Sequence, residues 1–234
     1  MVDDNQVMPQ FAPLGDQAVL AYFPSEAAAV RFADAVRSAN PPWLQDVVPA
    51  YASVGVFFDA DAIRASEVIE TLVAVALTER ASCQRETTHT NHFTIPVCYE
   101  FAPDLPRVCE HTGLTADEVI RLHTSIEYTV YAIGFVPGFP YLGYLPAELC
   151  GVPRLASPRL KVEPGSVGLT GRQTGIYPLP RPGGWNLIGR TPLTIVDVKD
   201  GFFPLRVGDR VTFTPIDETR FRELDGERLS SRAC

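Results

Sequence analysis

The segment that most constrains the fold runs from Gly134 to Pro192 and combines many glycines and prolines with large aromatic residues. Flexible linkers also carry glycine and proline, but they lack aromatic residues of the kind that proteins bury. The aromatic residues of this segment recur between its turn signals: Phe135, Phe139, Tyr141, Tyr144, Tyr177 and Trp185. The pattern predicts tight turns held by aromatic side chains, with backbone amides facing a cleft. A folded but irregular segment of this length usually carries function.

Length and charge limit the classes of protein that remain. The 234 residues suffice for one large domain or two small ones. A net charge of -8 argues against a broad surface for nucleic acid or anionic membranes. No apolar run is long enough for a transmembrane helix, and the acidic start MVDDNQVMPQ lacks the features of a signal peptide. We therefore expect a cytoplasmic protein, and we expect its five scattered cysteines to be free thiols.

The N-terminal part shows alternating strand and helix patterns, which predict a small α+β domain over residues 8–88. Apolar residues at helical or alternating spacing and turn signals between them define each element. The predicted order is strand, helix, strand, helix: Ala18–Phe23, Ala27–Ser38, Asp46–Phe58 and Ala62–Arg80. We expect Ser25 to cap the first helix. We expect Asn91–Tyr99 or a nearby strand to close the sheet, with both helices on one face.

Residues 89–226 show short strands and many turns, which favours a partly closed β-barrel after a polar linker at Ser82–Asn91. Pro96 places the strand Phe93–Tyr99 at a sheet edge, because proline donates no hydrogen bond. We expect Asp104 to cap a helix that Gly113 ends, and Thr115 with Glu118 to form a capping box. Further strands are predicted at Ser125–Ile133, Leu193–Asp197 and Arg210–Thr214, and a closing helix at Asp217–Leu224.

The glycines of the central segment do not match a nucleotide-binding motif. Neither GxxxxGK[ST] nor GxGxxG occurs in the sequence. Gly165, Gly168, Gly171 and Gly175 are spaced by three or four residues and open no evident helix. Two interpretations stay open. The glycines lie at turns that need positive φ, or their amides form an anion-binding nest beside Arg172 or Lys161.

Candidate binding residues lie in and just before the same segment. Arg154, Arg159 and Lys161 are either surface charges or ligands for a carboxylate or phosphate group. His123 is either a structural histidine or a general base. Polar side chains that suit ligand orientation follow at Gln173, Thr174 and Tyr177. The histidines His89, His92, His111 and His123 have no metal-ligand spacing, so no metal site is predicted.

Four long motifs carry a resemblance to a known family: GFVPGFPYLGYLP, PRLASPR, PGSVGLTGRQTGIYP and PGGWNLIGRTP. They closely resemble the allophanate hydrolase subunit 1 family, also called the carboxyltransferase C/D or KipI family. The likeness extends from LGDQAVL near the N-terminus through almost the whole chain. It implies a ferredoxin-like N-terminal domain and a cyclophilin-like β-barrel C-terminal domain. The chain departs from similar proteins at Glu163 and Pro164, where an acidic side chain alters the charge of the expected pocket.

The resemblance also implies an activity, since the family includes the B-subunit of bacterial ATP-dependent 5-oxoprolinase, which opens 5-oxoproline to glutamate. It implies two partners, a C-subunit related to the second half of a carboxyltransferase domain and a LamB/YcsF-like A-subunit. This chain would bind no cofactor itself, and the complex would use ATP. The resemblance implies that seven residues line the cleft: His123, Arg154, Arg159, Lys161, Gln173, Tyr177 and Arg190. Together with Thr174, we expect them to comprise a catalytic group, His123, Arg159 and Lys161, and a substrate-binding group, Arg154, Gln173, Thr174, Tyr177 and Arg190.

Two other functions stay open at this point. Some members of the family inhibit a sensor histidine kinase, and such an inhibitor would be a binding protein without activity of its own. The third function is a component of urea carboxylase or allophanate hydrolase. This chain lacks the Met-Lys-Met sequence that accepts biotin.

Overall fold

The computed structural model describes residues 8–81 and 90–231, which form two compact units, Met1–His89 and Thr90–Cys234. Residues 82–89 of the predicted linker, with Cys83 and His89, lie outside the described residues, as does Cys234. Cys98, Cys109 and Cys150 are free thiols, as predicted. No helix in the described ranges is long and apolar enough to cross a membrane.

The first unit is an antiparallel sheet with two helices. Its strands are β1 (Gln10–Pro13), β2 (Ala18–Tyr22), β3 (Leu44–Ala50) and β4 (Ser53–Phe58), and its helices are α1 (Glu26–Ala39) and α2 (Ala65–Ala81). The strands lie in the order β1-β2-β4-β3. The side chain of Ser25 caps α1 by accepting from Ala28 N, as predicted. Phe32, Val36 and Leu72 from the helices pack with Val56 and Phe58 from the sheet in one core.

Two predictions about this unit are wrong. The stretch Asp46–Phe58 is a hairpin of β3 and β4, with the reversal at Tyr51. Tyr51 adopts a positive φ of 53°, which hairpin turns need, but tyrosine is not a residue that signals such a turn. The sheet edge beside β2 is taken by β1, which precedes it, and the stretch Asn91–Tyr99 belongs to the second unit.

The second unit is a closed seven-stranded barrel with a separate two-stranded sheet and three helices. Its elements are β5 (His92–Cys98), α3 (Leu105–Thr112), α4 (Ala116–Thr124), β6 (Tyr128–Ile133), β7 (Pro140–Gly143), β8 (Arg159–Val162), β9 (Ser166–Thr170), β10 (Gln173–Ile176), β11 (Arg181–Gly183), β12 (Asn186–Arg190), β13 (Arg210–Ile216) and α5 (Glu218–Glu223). The barrel order is β6-β13-β5-β12-β9-β10-β7, and β7 also pairs with β6. The strands β8 and β11 form the small sheet. The helices and mostly antiparallel strands of the two units confirm the predicted α+β class.

The strand β5 lies inside the barrel sheet, so its predicted edge position is wrong. It pairs in parallel with β13 along its whole length and with β12 only at Cys98. Pro96 therefore lies where one side of β5 has no registered strand partner, and a missing amide is tolerated there. The predicted strand Leu193–Asp197 is also wrong, because this stretch makes isolated bridges only.

Local helix signals around the barrel are confirmed with one exception. Thr115 and Glu118 form the complete capping box of α4, and Gly113 ends α3 with a positive φ of 74°. Asp217 caps α5 by accepting from Arg220 N. Asp104 precedes α3 as expected, but its side chain makes no capping hydrogen bond and instead accepts hydrogen bonds from Arg159 and Leu187 N.

Candidate functional site

An aromatic cluster covers the outer face of β9 and β10. Val167, Leu169 and Ile176 point into the barrel core, so the glycines between or beside them face outward. Gly168 and Gly175 are opposite each other in these strands. A Cβ on Gly168 would lie 3.1 Å from Trp185 Cβ, and one on Gly175 would lie 3.0 Å from the Phe139 ring. The two glycines thus let Trp185 and Phe139 lie directly on the backbone.

We define the aromatic cluster as Phe139, Tyr141, Tyr177 and Trp185. The rings of Phe139 and Trp185 meet edge to face with centroids 5.4 Å apart, and those of Phe139 and Tyr177 meet likewise at 5.2 Å. Such contacts hold the rings in fixed orientations. The aromatic residues of this segment were predicted to hold turns, but Phe139 and Trp185 instead pack over the paired strands β9 and β10, and Tyr141 lies within β7.

The small sheet of β8 and β11 brings Arg159 beside this cluster. Gly183 of β11 pairs with Arg159 of β8. A Cβ on Gly183 would lie 2.5 Å from Tyr177 Oη, so the backbone at Gly183 touches the tyrosine ring. The backbone of Arg159 is therefore separated from Tyr177, a buried member of the aromatic cluster, by one strand, β11.

The side chain of Arg159 ends in an ion pair with Asp104. Arg159 Nη2 donates to Asp104 Oδ1 at 2.5 Å, and Leu187 N donates to Asp104 Oδ2 at 2.7 Å. The backbone N–H of Asp104 also donates to the carbonyl of Leu187 at 3.1 Å. Asp104 is buried, so this charged hydrogen-bond network is shielded from water. The start of α3, β12 and Arg159 are thereby held together.

Asn186, which precedes Leu187 in β12, holds two further parts of the site in place. It is fully buried, and its Oδ1 accepts from Arg107 Nε at 3.0 Å. Its Nδ2 donates to the carbonyls of Pro153 and Leu169. The turn before β8 is thereby anchored beside β12, with Arg154 next to Pro153. Three arginines are thus placed around Trp185–Leu187, and we call this arrangement the arginine site: Arg107, Arg154 and Arg159.

The charges of the arginine site act on the tyrosines of the aromatic cluster. Burial raises the pKa of Tyr177, a hydrogen bond from the Trp185 backbone opposes that rise, and Arg154 and Arg159 oppose it further. Burial also raises the pKa of Tyr141, with Arg154 opposing. Both phenols stay protonated at neutral pH, so they can donate hydrogen bonds. The positive charge of Arg154 thus acts on both phenols, and that of Arg159 acts on Tyr177.

His123 lies in the barrel core and not at the arginine site. It is completely buried, and its ring stacks on Phe213 with centroids 4.6 Å apart. Nδ1 lies 2.7 Å from Tyr99 Oη, and Nε2 lies 2.9 Å from Thr174 Oγ1. Burial lowers its pKa to about 3. The imidazole is therefore uncharged, and both ring nitrogens are occupied.

The tautomer of His123 follows from its partners. Thr174 Oγ1 donates to the Gly168 carbonyl at 3.0 Å, so it is free only to accept from the histidine. Nε2 therefore carries the proton, and Nδ1 accepts from the Tyr99 hydroxyl. Thr174 is fully buried as well, so both predicted site residues serve an internal network. In this arrangement neither side chain faces solvent.

The other predicted residues are dispersed. The exposed Lys161 pairs with Glu163 across 2.8 Å, so the unusual acidic residue neutralises it. Arg190 donates through Nε to the Pro164 carbonyl and lies over the Phe221 ring. Gln173 is half-buried at the start of β10. Among the predicted cations, Arg154 and Arg159 are the pair that acts on Tyr177.

The central glycines have two different roles. Gly165 and Gly171 lie at turns with positive φ, and Gly168 and Gly175 lie inside paired strands. None of the four begins a helix, so within the described ranges they build no phosphate cradle of the P-loop type. The described residues also contain no group of three or more potential metal ligands.

Asp104, Arg107 and Asn186 were not predicted as site residues. Asp104 resembled a helix cap from its sequence position, and that local role concealed its contact with Arg159, 55 residues away. Arg107 and Asn186 lie 79 residues apart, and neither carries a motif. A signal was present in the PGGWN motif itself, since a buried asparagine beside a buried tryptophan has to find hydrogen-bond partners.

Comparisons with known proteins agree with this architecture. The family described as carboxyltransferase domain, subdomain C and D, matches residues 9–202. The 5-oxoprolinase B-subunit of Bacillus subtilis is 39% identical over 237 residues, covering 93% of this chain and 97% of that protein. The 5-oxoprolinase B-subunit of Escherichia coli O157:H7 is 54% identical over 127 residues. That match covers 53% of this chain and 58% of the relative.

Solved structures show the same fold. The protein TTHA0988 is 34% identical with a TM-score of 0.73, and the match covers 86% of this chain and 40% of that one. The urea carboxylase of Kluyveromyces lactis has a TM-score of 0.71 at 16% identity, with 96% of this chain and 24% of that one covered. The family match and the nearly full-length relative agree, and the chain belongs to the carboxyltransferase domain, subdomain C and D, family.

Proposed function

We propose that this chain is the B-subunit of an ATP-dependent 5-oxoprolinase, which opens 5-oxoproline to glutamate together with other subunits. The observation that carries the proposal is the relative of that name in Bacillus subtilis, which is 39% identical and 97% covered. The chain spans 58% of the Escherichia coli relative that it matches, so the activity, substrate and partners of the whole enzyme are part of the proposal.

The arginine site supports an anionic substrate, because a guanidinium binds a carboxylate or phosphate group through paired hydrogen bonds. Tyr177 and Trp185 are 1% and 5% exposed, so the aromatic cluster holds this part of the barrel together and does not contact the substrate. His123 is buried and uncharged, so it supplies no exposed general base at the arginine site. The chemistry is therefore assigned to a site that another polypeptide of the enzyme completes.

The proposed partners are a C-subunit homologue, related to the second half of a carboxyltransferase domain, and a LamB/YcsF-like A-subunit. The four central glycines do not fit a phosphate cradle, so no ATP contact is assigned to them. ATP is assigned to the complex as a co-substrate. A cytoplasmic location belongs to the same proposal.

The proposal extends to the two domains and their fold families. The order β2-α1-β3-β4-α2 in the first unit supports a ferredoxin-like domain at residues 8–88, with β1 in the edge position. The closed barrel supports a cyclophilin-like domain at residues 89–226. The likeness to urea carboxylase at 16% identity concerns the fold alone, and no observation favours a kinase inhibitor, so no second function is proposed.

Reconstitution tests the function directly. The purified chain is mixed with the A-subunit and C-subunit homologues, and glutamate release from 5-oxoproline is measured with and without ATP. We expect ATP-dependent release from the three proteins together and none when this chain is omitted. Release that is unchanged without this chain would reject the proposal. A variant with Arg222→Ala serves as a control, since this residue is an exposed partner of Glu218 on α5.

A further inference from the structure

The loop between β6 and β7 holds an exposed phenylalanine in a fixed position. Phe135 is 57% exposed, although Phe139 in the same loop is buried. Two backbone hydrogen bonds close the loop: Gly134 N donates to the Phe139 carbonyl at 3.2 Å, and Phe139 N donates to the Val136 carbonyl at 3.1 Å. The ring of Phe135 also meets the rings of Phe139 and Tyr177 edge to face. The exposed ring is thus held in one orientation.

The backbone of Phe135 has a conformation that this residue type rarely adopts. Its φ is 65°, in the left-handed region, where the Cβ of a phenylalanine crowds the following carbonyl oxygen. Glycine or asparagine occupies this region with less strain. Strained backbone next to a functional site points to a role for the residue concerned. Since more than half of the Phe135 side chain lies in solvent, folding alone does not account for a phenylalanine here.

A second phenylalanine extends the apolar surface at this loop. A Cβ on Gly138 would lie 3.3 Å from Phe203 Cδ1, so Phe203 packs against the turn of the loop. Phe203 is 42% exposed. We call Phe135 and Phe203 the phenylalanine pair. Exposed aromatic groups that are held rigidly in this way are typical anchors of protein–protein interfaces.

The phenylalanine pair lies beside the arginine site. The centroids of the Phe135 and Tyr177 rings are 6.3 Å apart. Tyr177 Oη in turn touches the backbone of Gly183, the strand partner of Arg159. A protein interface of ordinary size, about 800 Å² on each partner, is roughly 30 Å across. A polypeptide that closes over the arginine site with such an interface therefore also covers Phe135.

The charges of the arginine site describe the partner. Arg159 and Asp104 neutralise each other, but Arg107 and Arg154 are exposed, and neither forms an ion pair within residues 8–81 and 90–231. Two unpaired arginines on one surface of a chain with a net charge of -8 favour an acidic partner. A second copy would bring the same two arginines to a symmetric contact, so a partner of different sequence fits this surface better.

We propose that the phenylalanine pair is the docking anchor for the polypeptide that completes the arginine site, and that this polypeptide presents an apolar pocket bordered by carboxylates. The inference deepens the proposed function and rests on it, because the occupant is its C-subunit homologue. Phe135 enters the pocket, and Arg107 and Arg154 face the carboxylates. A substitution at Phe135 therefore weakens assembly, and it lowers activity only through assembly.

Binding to the purified C-subunit homologue tests the inference apart from activity. The affinity is measured by calorimetry without ATP or 5-oxoproline, for the wild type and for Phe135→Asn. Asparagine tolerates the left-handed region, so the substitution is compatible with the loop. We expect the affinity to fall by at least about 10-fold, as for removal of a buried aromatic anchor. Leu77→Asn is the matched control with wild-type affinity, because Leu77 is 52% exposed on α2 of the other unit.

A second apolar variant and a charge variant complete the test. Phe203→Ser removes the other member of the phenylalanine pair without changing the strained residue, and it should also weaken binding. Arg154→Ala should slow association and reduce its dependence on salt, because an exposed arginine steers an acidic partner. The control Arg222→Ala removes an arginine that already pairs with Glu218 and should associate as the wild type does. Wild-type affinity in both phenylalanine variants would overturn the inference.

The outcomes separate this inference from the proposed function. Weakened binding of Phe135→Asn, with no 5-oxoprolinase activity from the wild-type mixture, upholds the inference and rejects the proposed function. ATP-dependent activity together with unchanged binding of Phe135→Asn does the reverse. Failure of the wild type to bind the C-subunit homologue also overturns the inference. So does light scattering that shows a dimer of this chain which Phe135→Asn abolishes, because the surface is then an interface between two copies.

Discussion

The buried His123 predicts how the stability of the protein falls with pH. Burial lowers the pKa of this imidazole in the folded protein from 6.5 to about 3. In the unfolded chain it regains its ordinary pKa and takes up a proton near pH 6.5. The unfolded state therefore binds more protons than the folded state between these two values. The contribution of the uncharged His123 to the free energy of unfolding is fully present above pH 6.5 and is lost progressively as the pH falls toward 3.

The size of the effect follows from the same two values. Each pH unit below the unfolded pKa costs about 1.4 kcal/mol per extra proton bound by the unfolded state. At pH 4.5, two units below 6.5, His123 alone removes about 2.7 kcal/mol of the free energy of unfolding. This is a large share of the stability of an ordinary domain.

Denaturation by urea at pH 7.5 and pH 4.5 measures the effect, with His123→Gln as the matched variant. A glutamine amide offers one donor toward Thr174 and one acceptor toward Tyr99, and it does not titrate. We expect the variant to be less stable at pH 7.5 but to lose about 2.7 kcal/mol less between the two pH values. Equal losses in the two proteins, or an NMR titration of His123 near pH 6.5, would refute the reasoning.

Two further predictions concern the same networks. Thr174→Val leaves His123 Nε2–H without an acceptor and should lower the free energy of unfolding by about 1–3 kcal/mol in urea denaturation. An unchanged value would show that this hydrogen bond does not stabilise the fold. Gly183→Ala places a Cβ 2.5 Å from Tyr177 Oη and should cost about 1–3 kcal/mol by overpacking. Gly184→Ala, whose nearest atom lies at 3.6 Å, is the matched control, and equal melting temperatures for the two variants would contradict the close packing.

Features that depend on neighbouring residues were predictable from the sequence. The capping box at Thr115 and the cap at Ser25 are made within three residues, and both are confirmed. The sequence also indicated that aromatic residues of the central segment are buried, but it predicted that they hold turns, whereas Phe139 and Trp185 pack over the strands β9 and β10. The barrel was predictable as a class from the short strands and frequent turns.

Features that depend on distant partners were not predictable in this way. Asp104 has the sequence position of a helix cap, but its carboxylate accepts hydrogen bonds from Arg159 and from Leu187 N instead of capping α3. The place of β5 inside the sheet depends on β13, which no local pattern reveals. Tyr51 turns a hairpin without glycine or asparagine. Tertiary contacts outweigh local preference at each of these positions.

The parallel pair of β5 and β13 also limits when the second unit can form during synthesis. Phe93 pairs with Val211, so nearly the entire length of this unit separates the two partners. During synthesis β5 stays unpaired with β13, and its apolar side chains stay exposed, until residue 216 has left the ribosomal exit tunnel. Such long loops close slowly and leave the nascent chain open to aggregation. Chaperones that shield hydrophobic nascent segments are therefore expected to bind near residues 92–98 before translation ends.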